Sequence, residues 1–176
     1  TGSKFRNESS SNEAETEMSL DAFESGQLKS QGLRLGVVCA RYNAELTDAL
    51  LDRVTGVIEE AGPPERLVVE RVPGSHEVPV AMAMILESES LDCLVGLGVV
   101  IKGTTAHHHL VAENAGSALQ QLAMERTIPI INGIIVTDRP EDALERVTGQ
   151  IDRGREFAMA ALQMAAVKKK WKKNLS

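Results

Sequence analysis

The residues with the most chemistry to offer lie in positions 99–111, V-V-I-K-G-T-T-A-H-H-H-L-V. An apolar run starting at Leu91 stops at Lys102 and Gly103, passes through Thr104 and Thr105, and ends on His107, His108 and His109. A buried strand that hands over to a helix in this way leaves backbone N–H groups pointing outward, where they attract anions. Gly103 lets the backbone approach a ligand closely, and the two threonines add hydroxyl donors. His107 stands about where the helix begins and can exchange a proton near neutral pH. Phosphate pocket plus titratable imidazole is the chemistry this pattern suggests. The Gly-Thr-Thr turn is not a P-loop, because the G-x-x-x-x-G-K-[ST] spacing is missing. The histidines themselves allow three readings: general acid–base or anion contact, a weak metal site, or a solvated helix start. Adjacent residues on a helix point about 100° apart, so three in a row hold one ion poorly. His107, nearest the turn, is the favoured acid–base residue.

A second group lies at residues 74–77. Gly74, Ser75, His76 and Glu77 follow Pro73, so all four histidines of the chain fall in two short stretches. Glu77 either complements a helix dipole or accepts hydrogen bonds from substrate hydroxyls. The only tyrosine, Tyr42, precedes Asn43 and is either a packing residue or a platform for a planar ligand. Arg146, in E-D-A-L-E-R, is a solvated helix residue or a bidentate phosphate ligand, and Arg153 and Arg155 share that ambiguity.

The elements that must position these residues follow from periodicity. Strands are expected at 33–40, 66–72, 91–101 and 129–137; the first is nearly continuous in apolar residues, as strands buried on both faces are. Helices are expected at 44–61, which stops at Gly62-Pro63-Pro64, at 75–89 with Ser75 as N-cap, and at 107–126, 140–148 and 152–170. Strands alternating with helices at this spacing imply βαβ units and a four-stranded parallel sheet. The expected fold is α/β, a three-layer α/β/α sandwich of flavodoxin-like, doubly wound topology. In such sheets ligands bind outside the carboxyl ends of the strands. Tyr42, residues 74–77 and residues 102–109 follow the first three strands, which argues for one composite site.

Composition sets the outer limits. The 176 residues suit one domain, and a chain that is 43% hydrophobic but 3% aromatic must build its core from aliphatic side chains. A net charge of −6 argues against a general nucleic-acid binder. No apolar run is long enough to span a membrane and no signal-peptide pattern is seen, so a cytoplasmic protein is expected. Cys39 and Cys93 lie inside apolar runs and read as reduced core thiols. Residues 1–32, rich in Ser, Glu and Asn, are expected to form a flexible arm, residues 33–167 the α/β domain, and residues 168–176 a solvated basic tail.

Taken together in register, A-R-Y-N (residues 40–43), V-P-G-S-H-E-V-P (72–79), G-V-V-I-K-G-T-T-A-H (98–107), I-P-I-I-N-G-I-I-V-T (128–137) and E-D-A-L-E-R (141–146) followed by R-G-R-E resemble the lumazine synthases. The resemblance runs from about Leu33 to Ala166. It implies condensation of 5-amino-6-(D-ribitylamino)uracil with 3,4-dihydroxy-2-butanone 4-phosphate to 6,7-dimethyl-8-ribityllumazine, the penultimate step of riboflavin biosynthesis, without metal or organic cofactor. By position it implies that Tyr42 stacks on the pyrimidine beside Asn43, and that Gly74, Ser75, His76 and Glu77 bind the ribityl chain. Val99, Val100 and Ile101 would line the uracil pocket. Gly103, Thr104 and Thr105 would hold the phosphate with Arg146 of an adjacent subunit, and His107 would move protons. Lys102, His108 and Arg153 would be accessory. The family assembles as pentamers, decamers or sixty-subunit shells with sites between subunits, sometimes with riboflavin synthase. The chain departs from the family's usual aromatic–acidic–aromatic run at His108, His109 and Leu110, and from its usual aromatic at Asn132, a substrate-pocket position. The alternative left open by these departures is a non-catalytic flavin- or lumazine-binding or shell-forming relative.

Overall fold

The computed structural model describes residues 28–103 and 107–173. Four strands, β1 (Arg34–Ala40), β2 (Arg66–Val72), β3 (Cys93–Ile101) and β4 (Ile130–Thr137), pair in parallel in the order β2-β1-β3-β4. They alternate with helices α1 (Ala44–Glu60), α2 (Val78–Ser88), α3 (His107–Arg126), α4 (Pro140–Val147) and α5 (Arg153–Lys173). Successive strand residues point to opposite faces, so each strand feeds two cores. Leu35, Val37 and Cys39 of β1 pack beneath α1, α4 and α5, whereas Val38 and Ala40 pack beneath α2 and α3. This is the three-layer sandwich expected from the alternation of elements.

The helices follow their apolar stripes. Leu50, Val54, Val57 and Ile58 put a buried ridge on α1, which ends where Gly62 adopts a φ of 114° closed to other residues. On the other face Leu119 and Leu122 of α3 meet Val78 and Met82 of α2. Burial of each such Leu, Val or Met side chain is worth about 1.5–3 kcal/mol. The helix expected over residues 75–89 divides. A 3-10 turn (Ser75–Glu77) comes first and α2 starts at Val78, with Pro79 in its first turn, where a missing N–H costs nothing. Ser75 makes no N-cap hydrogen bond; it is buried instead.

Two glycines explain that burial. A Cβ on Gly96 would come within 3.0 Å of Val78 Cγ1 and 3.1 Å of Met82 Cε, and one on Gly98 would overlap the Ser75 hydroxyl. With no side chain there, the 3-10 turn and α2 lie directly against β3.

The ends of the described chain are tied to the body. Ser30 N–H donates to the Ala61 carbonyl at 3.1 Å, and Gln31 bridges to Pro64. Helix α5 runs on through the basic stretch, where Lys168 Nζ donates to the Leu91 carbonyl at 2.7 Å and Lys169 Nζ to that of Gly32. At the other end of α5, Asp152 accepts the Arg155 N–H at 3.0 Å and takes both oxygens to Arg53 of α1, at 2.9 and 3.1 Å from Nε. That hydrogen bond from Arg53 holds the Asp152 carboxyl below its ordinary range. The two thiols lie on neighbouring strands, with Leu35 rather than Cys39 opposite Cys93. Four residues of offset amount to about 13 Å along the strands, too far for a disulfide. Burial pushes Cys39 up to about 11 and Cys93 up to about 12. Among the described residues, no helix is long and apolar enough to cross a membrane.

Gly98→Ala is expected to lower stability by about 1–3 kcal/mol, because Ser75 must move. Gly56→Ala, in α1 with nothing within 4 Å of the new methyl, is expected to raise it by about 0.5–1 kcal/mol. Denaturant midpoints that move the same way in both variants would contradict the close-approach account. Asp152 titrates lower in the folded chain than in the unfolded one. Its contribution is therefore complete above about pH 4 and fades as acid protonates it. Asp152→Asn should accordingly lose stability at neutral pH and show a shallower loss between neutral pH and acid than the native chain.

Candidate active site

Three strand ends meet in one cleft of about 490 Å³ at the carboxyl edge of the sheet. From the end of β1 come Tyr42 and Asn43, from the end of β2 come Gly74, Ser75, His76 and Glu77, and β3 supplies Val99, Val100, Ile101 and Gly103. The start of α3 closes it with His107, His108 and Val111.

Each turn is held by an identifiable contact. The Arg41 and Tyr42 N–H groups donate to the Val72 and Pro73 carbonyls at 2.8 and 3.2 Å, so the turn after β1 is laced to the end of β2. Asn43 sits in the left-handed region, φ 59° and ψ 53°, which asparagine tolerates better than other residues carrying a Cβ. From there its backbone carbonyl accepts the Leu46 and Thr47 N–H groups and starts α1. Its side-chain amide donates to the Val99 carbonyl at 2.8 Å, beyond the last β1–β3 pair at Cys39 and Leu97. One residue thus turns the chain, opens a helix and braces the cleft floor. Tyr42, 76% exposed, presents its ring on the rim rather than in the core. Glu77 folds back so that its carboxylate lies 3.0 Å from where a Cβ on Gly74 would stand.

The chemical character of the cleft is mixed. Val99, Val100, Ile101 and Val111 form an apolar wall suited to a flat ring. His76 and Glu77 face it as polar partners for hydroxyls. His107, exposed, is the first residue of α3, where N–H groups without intrahelical acceptors add positive potential. His108 is buried at the head of the α3 stripe, and its ring lies 3.9 Å, centroid to centroid, from that of His109 at a 40° tilt. None of the described lining residues is Lys or Arg.

Twelve of the sequence-derived site residues line this cleft: Tyr42, Asn43, Gly74, Ser75, His76, Glu77, Val99, Val100, Ile101, Gly103, His107 and His108. Thr104 and Thr105 lie outside the described residues. Four others are elsewhere. Lys102 is exposed, 3.6 Å from Asp138. Arg146 on α4 donates to the Asp142 carbonyl at 2.9 Å, and Arg153 pairs with Glu156 on α5. Asn132 is exposed on the edge strand β4, its amide oxygen accepting the Ile134 N–H at 3.1 Å. Val111 was missed; standing one helical turn after His107, it shares that residue's face, which was the available signal. A second hollow of about 340 Å³, between α2 and α3, includes Val80, Ala83, Ala118 and Leu122 and shares His76 with the cleft. Among the described residues no three His, Cys, Asp or Glu side chains are grouped to hold a metal ion.

Comparison with known proteins gives a consistent answer. The family described as 6,7-dimethyl-8-ribityllumazine synthase matches residues 32–169. A protein of that name from Thermococcus onnurineus (strain NA1) is 38% identical over 153 residues, covering 87% of this chain and 99% of its own length. Its namesake from Aquifex aeolicus (strain VF5) is 36% identical over 142 residues, covering 80% and 92%. The Burkholderia multivorans (strain ATCC 17616 / 249) protein of the same name is 34% identical over 139 residues, covering 78% and 79%.

The two roles of Asn43 can be separated. Asn43→Ala loses a hydrogen bond and forces a methyl into the left-handed region, at about 2 kcal/mol in all. Asn43→Gly loses the bond alone and should cost about 1 kcal/mol. Equal denaturant midpoints for the two variants would remove the backbone part of this account.

Proposed function

The chain belongs to the 6,7-dimethyl-8-ribityllumazine synthase family, and from that premise we propose that its strand-end cleft is where the family's condensation takes place. The protein is a transferase of riboflavin biosynthesis acting on small molecules. It joins 5-amino-6-(D-ribitylamino)uracil to 3,4-dihydroxy-2-butanone 4-phosphate, with loss of phosphate and water. The observation that carries the reading is the convergence of Tyr42, His76, Glu77 and His107, from three strand ends, on one cleft with an apolar wall.

In this reading the uracil lies against Val99, Val100 and Ile101 under the Tyr42 ring. The ribityl hydroxyls reach the turn at residues 74–77, where the Glu77 carboxylate accepts their protons' hydrogen bonds. Gly103, Thr104, Thr105 and the N-terminus of α3 receive the phosphate. The 5-amino group attacks the butanone carbonyl. The resulting carbinolamine loses water, phosphate leaves to give an enol that tautomerises to a ketone, and attack of the ribitylamino nitrogen on that ketone with loss of a second water closes the ring. Every one of these steps moves a proton, and His107 beside the phosphate subsite is the group to carry it. Holding the two substrates in contact supplies much of the remaining acceleration. His108, in the same cleft with its ring against that of His109, would be accessory to that proton work. Lys102 and Arg153, paired with Asp138 and Glu156, act at most through the local field.

A phosphate dianion needs a cation, and the described lining has no Lys or Arg. Arg146, on α4 beside β4, and Asn132, on β4 itself, stand apart from their own cleft. As the family resemblance implies, both would serve a neighbouring subunit's cleft, in a homo-pentamer or its multiples, a decamer or a sixty-subunit shell. Asn132 offers that neighbour a hydrogen-bonding amide in place of an aromatic face. Riboflavin synthase, which consumes lumazine, is the protein partner such an assembly serves in the cytoplasm.

Lumazine absorbance followed with both substrates should exceed the spontaneous rate. His107→Ala should lower kcat by about a hundredfold or more. Arg146→Ala should lower kcat/KM for the butanone phosphate by about tenfold to a hundredfold, in line with a lost charge-assisted hydrogen bond. Co-assembly of the two variants should restore part of the activity, because some clefts then receive a native histidine and a native arginine. Full activity in both single variants would overturn the assignment of the site.

A further inference from the structure

We propose that the lysine-rich end of α5 docks peripherally on an anionic phospholipid bilayer. Residues 168–173 read K-K-K-W-K-K, and no acidic residue follows Glu156, in a chain whose net charge is −6. Two of these lysines hold the helix to the body, Lys168 Nζ donating to the Leu91 carbonyl and Lys169 Nζ to that of Gly32. Lys170 and Lys172 are exposed. An apolar stripe runs alongside them. Met164, Val167 and Trp171 are 40%, 40% and 62% exposed, and spacings of three and four residues place them on one face of the helix. From Met164 to Trp171 the stripe runs about 10 Å along the axis. Lys170 Nζ lies 6.0 Å from the centre of the Trp171 ring, so positive charge borders the stripe directly.

A helix flank that sets lysines beside an exposed indole and aliphatic side chains suits the boundary of a bilayer. Laid on that surface, the indole ring sits among the headgroups, Met164 and Val167 reach the acyl boundary, and the ammonium groups meet lipid phosphates. A nucleic acid would satisfy the lysines and could stack on the indole, but it offers nothing to Met164 and Val167. The stripe therefore decides for lipid. Charge acts locally, over a Debye length of about 8 Å at physiological ionic strength, so the acidic remainder of the chain does not cancel the lysines at contact. Position agrees as well. Gly32 and Leu91 precede β1 and β3, so this end of α5 lies at the amino edge of the sheet, whereas the cleft lies at the carboxyl edge. The nine residues of β3 keep the two about 30 Å apart, and a docked molecule leaves its cleft open.

Trp171 is the only tryptophan, so its emission reads this surface alone. The full chain in its native assembly is mixed with vesicles of phosphatidylcholine and phosphatidylglycerol in equal parts, or of phosphatidylcholine alone. The anionic vesicles should sediment the protein, shift Trp171 emission to the blue and shield it from acrylamide, and the neutral vesicles should do none of these. Binding should weaken about tenfold or more in 1 M salt, where charges are screened beyond about 3 Å, and by a similar factor in the combined Lys170→Gln, Lys172→Gln variant. The combined Lys170→Arg, Lys172→Arg variant should bind as the native chain does. Trp171→Ser should lose sedimentation with the vesicles, and unfolding midpoint and assembly mass should stay unchanged in all three variants. Failure of the anionic vesicles to sediment the native chain would overturn the proposal, as would equal binding to neutral vesicles or undiminished binding by the glutamine variant. Emission already blue and shielded without vesicles, in an assembly that Trp171→Ser dissociates, would mean that a second copy covers the stripe and would overturn it. So would quenching by single-stranded RNA where the anionic vesicles leave the emission unchanged, which would assign the surface to nucleic acid.

Discussion

The contact on which this molecule depends most is the one between Ser75 and β3 at Gly98. Any Cβ at position 98 would occupy the place of the serine hydroxyl, and at Gly96 it would press on Val78 and Met82. Bare backbone at alternate positions of one strand face lets a 3-10 turn and the start of α2 settle directly on the sheet. That seating brings His76 and Glu77 to the carboxyl edge, within one cleft of Val99 and His107. It also buries Ser75, whose local sequence would otherwise suit a helix N-cap. Tertiary packing overrides the local preference because the cap bond is worth about 1 kcal/mol, less than the apolar contacts that close approach of α2 secures.

The same economy governs Asn43. A left-handed residue at the mouth of β1 joins the turn, the start of α1 and the carbonyl of Val99 through a single side chain. The turns that bear the cleft are thus braced by backbone geometry and short hydrogen bonds, while the rim residue Tyr42 stays open to solvent. On the proposed reading, the cleft is preorganised where it would hold two substrates and open where they would enter. Its electrostatics are less complete. The N-terminal end of α3 supplies positive potential, and the guanidinium of Arg146 is turned to its own helix, at the Asp142 carbonyl. On the proposed reading, a second subunit would supply the cation that a bound phosphate needs.

Much of this was legible in the sequence. Continuous apolar strands separated by amphipathic helices dictated a parallel sheet covered on both sides, and the rule that ligands gather at strand carboxyl ends singled out Tyr42, residues 74–77 and His107 before any coordinate was known. The strand bounds at 66–72 agree with the structure because Pro73 is a strong local signal, and the helix start at His107 agrees as well. Other details were not local. Nothing near Ser75 announces Gly98, 23 positions away. The hydrogen bonds of Lys168 and Lys169 to Leu91 and Gly32 could not be read from a lysine-rich tail that looked solvated.

By itself, then, the sequence determined the layers, the order in which strand and helix alternate, and the set of residue types able to move a proton or hold an anion. Periodicity and turn chemistry act over a few residues, and a linear text records them fully. Only the tertiary structure decided which of those residues share a cleft and which stand apart. It drew twelve of them together around β3 and left Asn132 and Arg146 on the β4 side. That division arises from contacts between residues far apart in the chain, where the absence of a side chain at one position sets the depth to which another can pack.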